Sequence, residues 1–188
     1  MPELVVAPER VVAPDLRAQV LALQDAAWPP TGDAPAPGHD PELRPLSMLL
    51  VEGGRVVAAL DILFKPLVHR SREYQAGGLS TVVTAPDVRR QGHGLRLVRL
   101  ARARMADDGI DVGVFTCDVS LAPFYERGGF ELLAGTQIIG GTRSDPLSSG
   151  PLGKVALAAF FTPLAVSHRA EFLGAEIELY PGSHDRLW

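Results

Sequence analysis

The stretch Thr84–Leu97, TAPDVRRQGHGLRL, constrains this chain more than any other. It joins an apolar run, GLSTVV, to a segment with helical periodicity, and it sets Gly92 and Gly94 at the joint. The N-terminus of a helix presents N–H groups without a helical partner and carries about half a positive charge. Glycines beside it let the backbone close on a ligand and form an anion-binding hollow. Strand, glycine-bearing turn and helix in that order predict a phosphate site, most simply for a pyrophosphate, within a fold that alternates strands and helices. A P-loop is excluded because no Gly-Lys-Ser/Thr ending follows, which sets aside ATP or GTP hydrolysis. The dinucleotide fingerprint needs a third glycine where this chain has Leu97, which sets aside a Rossmann site.

Past the joint, Gly94, Leu97, Val98, Ala101 and Met105 fall on one helical face, with Arg96 and Arg99 pointing away. Basic residues are almost all arginine, and six of them lie between Arg89 and Arg104. Such a cluster can bind nucleic acid. The net charge of −4 and the lack of interleaved aromatics favour a solvated helix back instead, so no nucleic-acid partner is expected. A length of 188 residues fits a single domain over 1–188 with a sizeable core. No apolar run approaches the ~20 residues that span a bilayer, and MPELVVAPERVV does not read as a signal peptide, so the expectation is a cytoplasmic protein without a membrane partner. One cysteine, Cys117, excludes an internal disulfide framework, and the scattered histidines lack zinc spacing, so no metal is expected.

Elsewhere the pattern predicts a helix over 14–28, entered at Pro14, and then a Pro/Gly/acid-rich lid at about 29–45. Two β-runs follow, joined at Gly53-Gly54 as a hairpin, and a third occupies 78–84. The helix over 93–108 is followed by a strand DVGVFTC, a short helix in SLAPFYERGG, and strands FELLAGTQIIGG, KVALAAFF and AEIELY within a C-terminal portion at 131–188. The fold class expected is mixed α/β, one domain with a central twisted sheet flanked by helices.

The joint also reads Arg/Gln-x-x-Gly-x-Gly/Ala as Arg89-Arg90-Gln91-Gly92-His93-Gly94, and APFYERGGF follows at 122–130. Together, in this order, the two motifs resemble the acetyl-CoA signatures of the GNAT superfamily of N-acetyltransferases, and the resemblance covers residues 79–130. It implies that the loop amides of Arg90 to Gly94 cradle the pyrophosphate of coenzyme A. It implies too that Val82, Val83 and Thr84 offer main-chain hydrogen bonds to the pantetheine arm, and that the next strand splays away near Phe115–Asp118 to leave a notch for the thioester. Acetyl-CoA is then the cosubstrate and a small-molecule primary amine the acceptor, and attack on the acetyl carbon is direct. Tyr125 matches the tyrosine that protonates the departing thiolate.

Two positions depart from the family pattern. The strand places that often hold a glutamate base carry Ser80 and Thr81, and Val119 stands where an asparagine is common. Asp118 is the first candidate base, with helix capping as its other reading. Cys117 reads as a small buried hydrophobe and His93 as a solvent-facing loop side chain. The tail DRLW, after AEIELY, is similar to that of aminoglycoside 2′-N-acetyltransferases. That likeness implies that the Trp188 carboxylate and Asp185 line an amine pocket, to which Ser80, Asp40, Asp33 and Glu42 could add polar groups. A homodimer is an admissible assembly. A non-catalytic acyl-CoA sensor is the alternative function, because fold does not fix function.

Overall fold

The computed structural model describes residues 1–29 and 38–179. The chain begins with β1 (Glu3–Pro8) and α1 (Pro14–Ala27), then forms two successive hairpins from β2 (Leu46–Glu52), β3 (Arg55–His69) and β4 (Arg72–Thr84). The first hairpin turns at Gly53 and Gly54, both at positive φ (56° and 77°), the backbone shape that matches strand twist. The second turns at Arg70 and Ser71 with the same signs, φ 50° and 61°, although neither is glycine. A turn search keyed to Gly and Asn passes over it, so the sequence shows a strand only from residue 78 while β4 begins at Arg72. Pairing of β3 with β4 from Ala58↔Thr84 to His69↔Arg72 offsets strain of roughly 1–2 kcal/mol per left-handed residue.

Next come α2 (His93–Asp107), β5 (Val112–Asp118), α3 (Ala122–Arg127), β6 (Glu131–Leu132), β7 (Gln137–Gly141), β8 (Pro146–Ser148), β9 (Lys154–Phe160), α4 (Pro163–Ser167) and β10 (Glu176–Glu178). One mixed sheet of seven strands runs β1-β2-β3-β4-β5-β9-β6, and a second has the order β10-β7-β8. The run FELLAGTQIIGG is therefore two strands in two sheets. Gly135, at φ 72°, lies in the turn between them. Among the described residues no helix is long and apolar enough to cross a membrane.

The sheet opens at the contact between β4 and β5. They are parallel, which requires a crossover, and α2 provides it. Their only register pairs are Ala76↔Val112 and Gly77↔Gly113. At that point α2 sits almost on the sheet: a Cβ on Gly77 or Gly113 would stand 3.4 or 3.1 Å from the Met105 sulfur. Beyond it β4 continues to Thr84 and β5 to Asp118 without pairing with each other, so a notch opens between them.

Each face of the sheet has its own core. The face of α2 made of Gly94, Leu97, Val98, Ala101 and Met105 is buried, as its periodicity predicts, in the cluster that includes Leu50, Leu60 and Ile62. The other cluster holds Val12, Val20, Leu49, Ala59 and Val83, with Leu16 and Leu23 of α1 packed against it. Each large aliphatic side chain so buried contributes about 1.5–3 kcal/mol relative to exposure. The first cluster packs on both β4 and β5, through Leu79, Val114 and Phe115, and the second packs on β4 through Val83.

Candidate active site

Gly92 caps α2 at φ 88°, and no side chain supplies a cap hydrogen bond there. The first helical hydrogen bond is the Arg96 amide to the Gly92 carbonyl at 2.9 Å, which leaves the preceding amides of the helix free for a ligand. The second glycine serves a different need: a Cβ at Gly94 would stand 2.8 Å from Thr84 Oγ1 and 3.5 Å from Phe124 Cζ. It lets the helix end abut the end of β4. Arg90 also has a left-handed backbone, φ 64°, and Arg89 Nε donates to the Thr84 carbonyl at 3.2 Å.

These groups surround one cleft of about 580 Å3. Val82, Val83, Thr84, Arg89, Arg90, Gly92, His93 and Gly94 all line it, with Leu121, Phe124 and Tyr125 opposite. Gln91 is exposed and does not line it. His93 and Phe124 are half-buried at the wall, so neither is purely a loop or a core side chain.

Tyr125 is 7% exposed and its ring stands edge-on to Phe115 and Phe124, with centroids 4.9 and 5.0 Å away. Burial raises the phenol pKa well above its ordinary value, and Cys117 and Asp118 push it further the same way. The phenol therefore keeps its proton at neutral pH and can act as a donor. Burial likewise pushes the Cys117 thiol up to about 11, so its thiolate is scarce at neutral pH. Asp118, the expected base, is paired with Lys154 at 2.6 Å, is largely exposed and does not line the cleft. Its side chain makes no cap hydrogen bond either, so the capping reading also fails.

A second polar centre, which the sequence did not reveal, lies on the α1 face where β4 leaves β5. The register of β4 slips between Asp61↔Ser80 and Ala59↔Val83, and Thr81 has φ 49°. The extra residue is a bulge, which bends the strand and re-aims side chains. Adjacent strand residues normally face opposite ways, yet here both hydroxyls turn to one cluster. Ser80 Oγ lies 2.9 Å from His39 Nε2, and Thr81 Oγ1 donates to Asp61 Oδ2 at 2.7 Å. Asp61 Oδ1 accepts from Ser47 Oγ at 2.5 Å. His39 Nδ1 is 3.3 Å from Glu9 Oε1 and 3.9 Å from Asp61 Oδ2, and Arg17 sits 2.7 Å from Glu9 Oε1.

Burial raises the Asp61 carboxyl, with His39, Ser47 and Thr81 offsetting part of that rise. Burial also pushes Glu9 up, but hydrogen bonds from His39 and the charges of His39 and Arg17 leave it below its ordinary value. Glu9, His39 and Asp61 each place a donor atom within 4.8 Å of the others, a spacing that a cation could use. Those lone pairs are already engaged by Arg17, Ser47, Thr81 and the imidazole, so the set reads as a hydrogen-bond network. His39 sits in the Pro-rich lid beside Asp40. The only sequence hints are an acid inside the apolar run VVAALDILF and a histidine in GHDP.

Glu9, Arg17 and His39 also line a larger cavity of about 1030 Å3, with Arg10, Arg44 and Phe64. Of the expected acceptor-side residues, Ser80 is in the network just described. Asp40 Oδ1 accepts the Glu42 amide at 2.9 Å and so caps a short turn over Pro41–Leu43. Asp33, Asp185 and Trp188 lie outside the described residues.

The sequence matches the family model described as Acetyltransferase (GNAT) domain over residues 10–133, well over half the chain. Among solved structures it is similar to Escherichia coli ElaA, with 15% identity and a TM-score of 0.60, covering 84% of this chain and 99% of that one. An acyl-CoA N-acyltransferase from Pseudomonas aeruginosa gives 15% identity and 0.58 over the same shares. A chain of the NatC complex, bound to Gag peptide and CoA, gives 18% identity and 0.55 over 85% and 99%. At these identities the likeness is one of fold. No curated protein matches the sequence.

Proposed function

We propose, from the premise that this chain is a member of the GNAT acetyltransferase family and thus an acyltransferase, that it moves the acetyl group of acetyl-CoA to a primary amine of a small molecule. One observation carries this reading. The uncapped end of α2, the stretch of β4 that is unpaired on its β5 side and the Tyr125 phenol border a single cleft.

Each part answers a need of the reaction. Amides of the turn and of the first residues of α2 bind the pyrophosphate, aided by Arg89 and Arg90. Residues 82–84, with no strand beside them on the notch side, pair with the amide-rich pantetheine arm. The thioester then lies in the notch beside Tyr125. A neutral amine attacks the carbonyl carbon, the C–S bond breaks, and Tyr125 protonates the thiolate. The tyrosine regains a proton from the nitrogen of the new amide.

An aminoglycoside-like cation is the acceptor that the tail suggests. The described lining of the larger cavity carries Arg10, Arg17, Arg44 and Arg104 against Glu9 and Asp108, and those acids already pair with Arg17 and Arg104. Such walls suit a single amine on a molecule that also bears an acidic group better than a polycation.

The test is thiol release from acetyl-CoA with a panel of aminoglycosides, polyamines, amino acids and peptide N-termini. Amine-dependent release supports the reading. Binding of acetyl-CoA with no release for any amine, and no effect of Tyr125→Phe, would establish the sensor alternative.

A further inference from the structure

An ammonium must lose a proton before it can attack, and the groups around the notch do not take one readily. Tyr125 and Cys117 hold their own protons, and Asp118 is turned to Lys154. The network at the β4 bulge is arranged to do so. The carboxylate of Glu9 faces His39 Nδ1, which favours a proton on Nδ1 and leaves the Nε2 lone pair toward Ser80 Oγ. Ser80 lies two residues before Val82, which lines the CoA cleft, while His39 lines the larger cavity. The Ser80–His39 contact therefore links the strand that borders the CoA cleft to a side chain that borders the larger cavity.

We propose that Ser80 and His39 form the proton relay of the acetyl transfer, with Glu9 and Asp61 supporting the imidazolium. This rests on the transferase reading above. The acceptor ammonium gives a proton to Ser80 Oγ as the Ser80 hydroxyl proton passes to His39 Nε2. The freed amine forms the C–N bond, the thiolate leaves with the Tyr125 proton, and the phenolate recovers the second amine proton. His39 then releases one proton to solvent, which balances the conversion of ammonium and thioester to amide and thiol.

Among the described residues, charged groups facing the imidazole include Glu9 beyond β1, Arg17 of α1 bound to Glu9, and Asp61 of β3. Arg17 offsets the charge of Glu9 in the resting state. A proton arriving on His39 is met by Glu9 at 3.3 Å and Asp61 at 3.9 Å, so the imidazolium forms without an uncompensated buried charge.

The test is steady-state kinetics across pH on the full chain, using the best amine of the panel, with acetyl-CoA affinity measured by calorimetry. His39→Gln should lower kcat on the order of 100-fold or more, remove the acid limb of its pH profile and leave acetyl-CoA affinity unchanged. Added imidazole should restore part of the rate. Ser80→Ala should cut kcat roughly tenfold or more, and Ser80→Thr, which keeps the hydroxyl, should restore it. If the wild type turns over and His39→Gln and Ser80→Ala retain both rate and profile, the relay is overturned while the transferase reading stands. Activity lost on chelation and regained with zinc would also overturn it, because a cation would then hold the imidazole. A wild type that binds acetyl-CoA and acetylates nothing overturns both.

Discussion

Replacing Gly94 by Asp, beside a Gly94→Asn control, separates shape from charge at the proposed pyrophosphate site. Any Cβ at this position meets Thr84 Oγ1 at 2.8 Å, so Thr84 must rotate or β4 must give way. That overpacking costs about 1–3 kcal/mol and is common to both variants. Asp adds a negative charge near the helix end, where a side chain leans back toward the N-terminus and hence toward the loop. Against two pyrophosphate charges at about 5 Å, Coulomb's law gives roughly 1.7 to 6.6 kcal/mol as the effective dielectric falls from about 80 to about 20. Affinity for CoA should then fall at least about 15-fold further in Asp than in Asn. Calorimetry with CoA measures this, and far-UV circular dichroism with thermal melts shows that both variants fold. Added salt should narrow the gap between them, because the distinguishing effect is electrostatic. Equal affinities in folded Asp and Asn variants would refute the placement of a diphosphate here.

Tyr125→Phe should lower kcat by about 10²–10⁴ with acetyl-CoA affinity intact, because it removes a proton donor and leaves the ring packing on Phe115 and Phe124. Equal rates in a pH series would remove Tyr125 from the mechanism. Cys117→Ala should keep its turnover, and iodoacetamide should label Cys117 far more slowly than a free thiol at neutral pH, since burial holds it protonated. Rapid labelling with loss of activity would point instead to a nucleophilic cysteine. The folded state raises the Asp61 carboxyl, so it binds that proton more tightly than the unfolded chain does. This contribution weakens stability as pH climbs from the ordinary carboxylate pKa to the raised one. The melting temperature of Asp61→Asn relative to wild type should therefore rise as pH climbs above about 4. A relative melting temperature that falls over this range would contradict the sign.

Local order was legible wherever its cause was local. The joint at Thr84–Leu97 announced itself because a helix N-terminus beside glycine needs those residues in sequence, and α2 buries the face that its periodicity marks. The hairpin at Gly53-Gly54 could be read from its glycines. The one at Arg70-Ser71 could not, because pairing along β3 and β4 holds two non-glycine residues in a left-handed turn. The splitting of FELLAGTQIIGG between two sheets was equally hidden, because strand patterning states which face is apolar and not which neighbour is paired.

The sequence alone determined the glycine-bearing joint, the crossover helix and the succession of strands along the chain around it, since each follows from contiguous residues. Tertiary structure decided the polar centre. Glu9, His39, Asp61 and Ser80 come from four separate segments, and no spacing rule connects them. A single bulge at Thr81 turns consecutive side chains the same way, and burial then makes their hydrogen bonds obligatory. Asp118, beside the notch in the chain, instead found Lys154 on the neighbouring strand. Proton-transfer chemistry depends on distances of a few ångströms between residues far apart in sequence, and only the folded sheet sets those distances.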